Sequence, residues 1–555
     1  MAARERRRPS PRAARLILLG AANGAALLVL AWVLWGGAPG SSATAGVGAE
    51  GGREPAPAGS AESTAPVADG PSTAERRAAA EALERRIAAA IAGGIEAARR
   101  HSKGRANPST VRVGVHVRER GPTPAGGFDL VSIDGDRALT PASNLKLVTS
   151  AAALVLLGPD WQFETTIELA GEVQNGVLEG DLVVRAGADP FVGYAEEGRV
   201  EARLVDPVAG ALAARGVRAI AGDVVLDERD FPEPGPAPGW PPASQHWTES
   251  CALAGGFSLN AGLLTARVTP GRAGRPAGIA VHPAPHGLGT RYGVQTVKGA
   301  VLDVRVGATV TAVTVKGKIG ADLDPWTGSF AHPDPVELFG AVLAGGLAAR
   351  GVQLRGEVRR ERGPPPGEEL FVLRSSLADA LVPVNTLSAN AVADQVFLAT
   401  GAAAVGDGTR AGGARATALA LERLGVPPAG LVQVDGSGLS RDNRATPRQI
   451  AALVDGLLAL DPATARAFRE SLALAGRTGT LDDRMRGTAA EGRVRAKTGW
   501  IRGASALSGV TTTAGGRELV FSILVSYPRE LGGLNTNCFK PMHDAIAVLL
   551  TELEP

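Results

Sequence analysis

Three hydrophobic patterns divide this chain. The first is an apolar run over residues 16–35, with Asn23 its one polar residue, preceded by Arg4, Arg6, Arg7, Arg8, Arg12 and Arg15. Its length suits a single bilayer-spanning helix, and the flanking arginines hold its start on the cytoplasmic side. An uncleaved transmembrane anchor over 1–36 is therefore expected, with cleavage near Ala43-Thr44-Ala45 as the alternative. Either way the globular part is expected outside the cytoplasm, with the anchor in the cell inner membrane as a single pass. Residues 37–74 are Gly, Ala, Pro, Ser and Thr with a few acids, which cannot bury a core and read as a disordered linker.

The second pattern is helical. Leu83, Ile87, Ile91 and Ile95 recur at i,i+4 and predict a helix over 75–100 whose apolar stripe packs on the domain C-terminal to it. Residues 141–157 open with Pro141, run almost wholly apolar and stop before Gly158, the punctuation of a buried helix. The third pattern has period two. Residues 111–117 and 519–526 read as strands, and 165–373 hold many short alternating runs separated by Gly and Pro, with a helix at 335–347 among them.

At 555 residues the chain exceeds one core, so two or three globular units are expected. A net charge of +2 and 4% aromatic residues give no basic, base-stacking face, so nucleic acid is not an expected partner. Cys251 and Cys538 form no Cys-x-x-Cys; a disulfide and two unrelated thiols both remain open. No histidine falls in a metal-ligand pattern, and His282 and His286 are separated by helix-breaking Pro283 and Pro285. No metal and no cofactor are expected.

The candidate chemistry lies in the lysines. Only Lys103, Lys146, Lys298, Lys316, Lys318, Lys497 and Lys540 occur in an arginine-rich chain. Arginine keeps its proton in proteins, whereas burial and nearby cations let lysine release it. Lys146 follows Ser143 by three residues at a helix start, where the amine reaches the serine oxygen. A neutral amine there is a base for a serine nucleophile, and the helix N-terminus favours a developing oxyanion. Ser388 and Asn390 open a further apolar helical stretch, where alone they read as a turn and an N-cap. Lys497-Thr498-Gly499-Trp500 precedes strand-like runs, and Gly499 permits close approach to the backbone.

Ser-x-x-Lys, Ser-x-Asn and Lys-Thr-Gly in this order are the signature of penicillin-recognising serine enzymes. Over about 100–527 the chain resembles the D-alanyl-D-alanine carboxypeptidase/endopeptidase family typified by penicillin-binding protein 4, peptidase family S13. The resemblance is carried by Pro141-Ala-Ser-Asn-Leu-Lys146, Gly180-Asp-Leu-Val-Val-Arg-Ala-Gly-Ala-Asp-Pro190, Gly222-Asp-Val-Val-Leu-Asp227 and Trp240. It continues in Phe257-Ser-Leu-Asn260, Val434-Asp-Gly-Ser-Gly-Leu-Ser-Arg441 and Ala475-Gly-Arg-Thr-Gly-Thr-Leu481. It implies an α/β (α+β) multi-domain fold: a penicillin-binding transpeptidase-like domain, an antiparallel sheet flanked by helices, with β-rich inserted domains. The implied division is a catalytic domain over 75–164 and 374–555, an inserted domain II over 165–264 and 325–373, and a nested domain III over 265–324.

The resemblance also implies roles. Ser143 attacks a D-Ala-D-Ala peptide to form an acyl-enzyme. Lys146, held neutral by burial and by the charge of Lys497, acts as base, and Ser388 passes the proton to the leaving amine. Asn390 holds the substrate amide, Lys497 and Thr498 bind its terminal carboxylate, and the Ser143 and Trp500 N–H groups form the oxyanion hole. Trp500 stands where the family often has Thr, so a hydroxyl near that carboxylate is lost. Asp394 stands where the family often has Glu, and Asp435 and Arg441 are expected to shape a turn. Peptidoglycan peptides and β-lactams are the implied ligands. A β-lactamase or esterase on this scaffold and an inactive envelope-binding protein are the rival readings.

Overall fold

The computed structural model describes residues 73–121, 126–193 and 199–554. The run at 16–35 expected to cross the membrane and the linker before residue 73 lie outside them. Among the described residues no helix is long and apolar enough to cross a membrane.

The site rests on a six-stranded antiparallel sheet. Its order is Ala473–Leu474, Arg495–Ile501, Ala504–Thr512, Glu518–Ser526, Arg112–Glu119 and Phe128–Ile133. Successive side chains point to opposite faces, so each strand serves two cores. Val115, Val117, Ala496, Leu507, Phe521, Ile523 and Val525 face one core with Leu83, Ile87 and Ile91 of helix Thr73–His101 and Ile546 and Leu550 of helix Lys540–Thr551. Val510, Val520 and Leu524 face the other with helices Leu145–Leu157 and Pro447–Leu458. Helix Leu145–Leu157 is buried on every side over its first ten residues, which explains its nearly continuous apolar sequence.

Parity also decides where polar residues go. Lys497 lies opposite Ser508, Ser508 opposite Ser522, and Ser522 opposite His116. This row crosses the sheet on the face towards helix Leu145–Leu157, where Asn144 Nδ2 donates to Ser508 Oγ (2.6 Å) and Ser508 Oγ to Ser522 Oγ (2.8 Å). Lys497 thus faces the serine-bearing turn because Ala496, one residue earlier, faces the opposite core.

Between Leu157 and Leu377 the chain leaves this unit. Strands Gln162–Gln174, Val177–Arg185 and Glu368–Ser376 form an antiparallel core, extended by short parallel strands at 219–220, 224–227, 353–354 and 358–361. Two three-stranded sheets complete the inserted region: Leu263–Thr269, Gly278–His282 and Trp326–Ala331; then Gly289–Val297, Leu302–Thr309 and Ala312–Gly320. Helix Pro335–Ala349, capped by the Asp334 carboxylate, leads back to the larger sheet. The molecule is a mixed α/β, multi-domain fold.

Candidate active site

Ser143 sits in a 3-10 turn, Ala142–Asn144, that runs directly into helix Leu145–Leu157, rather than in the helix's first turn. The turn begins with Ala142 at φ 49°, a conformation an L side chain rarely adopts. It is held from two sides. A Cβ on Gly438, itself at φ 81°, would run into the Ala142 carbonyl, and a Cβ on Gly499 would lie 3.0 Å from both the Pro141 carbonyl and Asn144 Oδ1. Both glycines let neighbouring backbone close on the nucleophile.

Lys146, fully buried, places Nζ 3.2 Å from Ser143 Oγ, 2.7 Å from Asn390 Oδ1 and 2.6 Å from the Ser437 carbonyl oxygen. The latter two accept only. The Asn390 amide cannot be turned about, since its Nδ2 donates to the Ser250 carbonyl at 2.8 Å. A neutral amine has two N–H groups and one lone pair. The two acceptors take both N–H groups, which leaves the lone pair aimed at the Ser143 hydroxyl. Burial pushes the Lys146 pKa down to about 8, against the opposing charges of Asp394 and Asp435. Burial is thus the main reason the amine loses its proton, and nearby carboxylates work against it.

Lys497 is likewise fully buried on strand Arg495–Ile501, and its Nζ donates to the Thr498 carbonyl at 2.8 Å. No carboxylate pairs with it among the described residues. Burial and then the Lys146 charge hold its pKa well below the usual lysine value. A buried cation without a counter-ion is costly, and an arriving anion relieves it. Thr498 Oγ1 donates to Thr480 Oγ1 at 2.9 Å. Trp500 is 56% exposed and its Nε1 donates to the Tyr527 hydroxyl at 3.2 Å. Strand Ala473–Leu474 pairs only with Arg495 and Ala496, so the same edge carries no partner strand from Lys497 onward among the described residues.

Asn390 is the first residue of helix Asn390–Val405, whose N-cap is Ala389, so it is not itself the cap. Ser388 is half-buried two residues earlier at φ 67°, and its hydroxyl makes no hydrogen bond to Ser143 or Lys146. The loop 434–441, whose importance to Lys146 has no side-chain signal in the sequence, supplies the Ser437 carbonyl. Asp435 staples this loop, accepting from the Gly438 and Ser440 N–H groups, Asn443 Nδ2 and Trp240 Nε1. Cys251 and Cys538 are buried free thiols. No group of three or more His, Cys, Asp or Glu side chains suited to a metal occurs among the described residues.

The model of the D-Ala-D-Ala carboxypeptidase 3 (S13) family matches residues 114–553. A D-alanyl-D-alanine carboxypeptidase of Actinomadura sp. is 35% identical over 463 residues, covering 77% of this chain and 80% of that protein. The crystal structure of penicillin-binding protein 4 from Haemophilus influenzae superposes with a TM-score of 0.67 at 24% identity, covering 79% of this chain and 95% of that one. The same protein complexed with a β-lactam gives 0.62 at 23% identity, with 79% and 95% covered.

Proposed function

The chain belongs to the D-Ala-D-Ala carboxypeptidase 3 (S13) family, and from that premise we propose how its cleft carries out the reaction. The activity is that of a D-Ala-D-Ala carboxypeptidase. A stem peptide lies extended along the open edge of strand Arg495–Ile501, its C-terminal carboxylate meeting Lys497 and Thr498. Asn390 orients its amide. Ser143 Oγ attacks the carbonyl before the terminal D-Ala and its proton passes to Lys146 Nζ, while the Ser143 and Trp500 N–H groups receive the oxyanion. The C–N bond breaks, Ser388 carries the proton to the leaving amine, and an ester on Ser143 remains. Water then hydrolyses it and restores the hydroxyl. The Ser388 step requires its side chain to turn towards Lys146 when substrate is bound.

The observation that carries this reading is the Lys146 amine, committed by two acceptor-only oxygens so that its third direction faces Ser143. β-Lactams acylate the same hydroxyl, in keeping with the β-lactam complex of the Haemophilus influenzae protein. A β-lactamase is less well supported, because among the described residues no carboxylate hydrogen-bonds Ser143 or Lys146 to activate a deacylating water. The proposed units are 75–164 with 374–555 for catalysis, 165–264 with 325–373 for domain II and 265–324 for domain III, and strand Trp326–Ala331, which falls in 325–373, pairs with Leu263–Thr269 across the boundary between the last two. The arginine-flanked apolar run at 16–35 would anchor the protein in the inner membrane with the cleft outside.

The test is labelling with a fluorescent penicillin. The wild type is expected to form a stable adduct at Ser143, and Ser143→Ala to lose it with an unchanged thermal melt. Labelling retained by Ser143→Ala identifies a different nucleophile; rapid turnover identifies a lactamase.

A further inference from the structure

Asp394 lies one helical turn beyond Asn390 on helix Asn390–Val405 and is buried. Its Oδ1 accepts from two successive backbone amides, Gly436 N–H at 2.6 Å and Ser437 N–H at 2.9 Å. The carbonyl of that same Ser437 accepts from Lys146 Nζ. The carboxylate therefore grips one end of a peptide segment whose other end grips the base. The grip leaves no slack: a Cβ on Gly436 would collide with the Ala393 carbonyl, so the loop is pressed against the helix. The second oxygen, Oδ2, is buried and accepts from no backbone amide among the described residues. Only half of this carboxylate is used by the backbone, so the loop alone does not account for a charge in this place.

We propose that Asp394 is a positioning residue for acyl transfer: through the Gly436 and Ser437 amides it fixes the carbonyl that orients Lys146, and its carboxylate is that amine's counter-charge. This rests on Lys146 being the base. The charges that act on Asp394 come from three elements: Lys146 from helix Leu145–Leu157, Asp435 from the loop, and Arg410 from helix Arg410–Arg423. Burial and then Asp435 raise its pKa to about 7, while Arg410 and Lys146 pull it down. The acid and the amine thus exchange charge over the same pH range, and each alters the other's titration. An ionised Asp394 favours the ammonium form of Lys146, so removing its charge lets the amine deprotonate at lower pH.

The experiment measures the rate of Ser143 acylation by a fluorescent penicillin against pH in the full chain, for wild type, Asp394→Asn and Asp394→Glu. In Asp394→Asn the midpoint of the ascending limb is expected to move lower, a gain in neutral amine of about twofold between about pH 7 and 8, where wild-type Asp394 carries its charge, while the two profiles converge below about pH 6. The penicillin affinity before acylation is expected to stay within about twofold, since Asp394 does not touch the ligand. Asp394→Glu keeps the charge and is expected to hold the wild-type limb. A folded Asp394→Asn with an unmoved limb, or Asp394→Glu shifted as far as Asp394→Asn, overturns the proposal. The wild type gives an independent readout if the charge-free variant does not fold. With so few lysines in the chain, 15N-lysine labelling resolves the Lys146 amine. Its titration must show two steps, shared by the coupled Lys146–Asp394 pair, and a single step overturns the proposal. A wild type with no adduct at Ser143 defeats the mechanistic reading as well. An adduct with an ascending limb that Asp394→Asn leaves in place defeats this inference alone.

Discussion

The pH dependence of Ser143 acylation is the most demanding test of the cleft. The perturbation is protonation of Lys146, which ties up the lone pair that faces Ser143 Oγ across 3.2 Å. Burial brings its pKa to about 8. The neutral form is the active one, so the rate must rise with pH. At about one unit below the pKa roughly 10% of the amine is free, and at about two units below, roughly 1%. Acylation is therefore expected to climb close to tenfold per pH unit between about pH 5.5 and 7, and to level off above about pH 9. Stopped-flow with a fluorescent penicillin under single-turnover conditions reads the step directly. Lys146→Arg supplies the control: a guanidinium keeps its proton throughout this range, so acylation should stay near background at every pH. A wild-type rate that is flat across this range, or Lys146→Arg acylating near normally, would refute the assignment of Lys146 as base.

Burial and charge set two further outcomes. Lys497→Ala should weaken a peptide with a free terminal carboxylate by about 1.5–3 kcal/mol, roughly 10- to 150-fold in KM. The matching peptide amide should be nearly unaffected, and equal losses for both would remove Lys497 from carboxylate recognition. Leu83→Ala deletes a side chain 1% exposed between helix Thr73–His101 and the sheet. It should cost about 2–5 kcal/mol of stability, read as a lower denaturant midpoint; a midpoint unchanged from wild type would show that this helix is not part of the core.

The hydrophobic pattern located elements well where one physical rule dominated. The i,i+4 stripe at 83–95 lies within helix Thr73–His101, and the apolar run at 519–526 lies within strand Glu518–Ser526. Punctuation was less exact at the nucleophile. Pro141 and the apolar run announced a helix start, but the close approach of Gly438 and Gly499 goes with a 3-10 turn at Ala142–Asn144 before the α-helix. A local sequence carries no trace of that pressure, because both glycines are hundreds of residues away.

What the sequence determined by itself was which side chains are available for chemistry and how they are presented locally: a serine and a lysine three apart, an asparagine opening a helix, a lysine on a strand. The tertiary structure decided which faces meet and what protonation state results. Strand parity turned Lys497 towards the serine turn, and a backbone carbonyl 291 residues from Lys146 became the acceptor that orients it. Every residue has such a carbonyl, so no residue type marks the one that matters. The lowered pKa of Lys146 likewise comes from complete removal from water, a property of the packed assembly rather than of lysine.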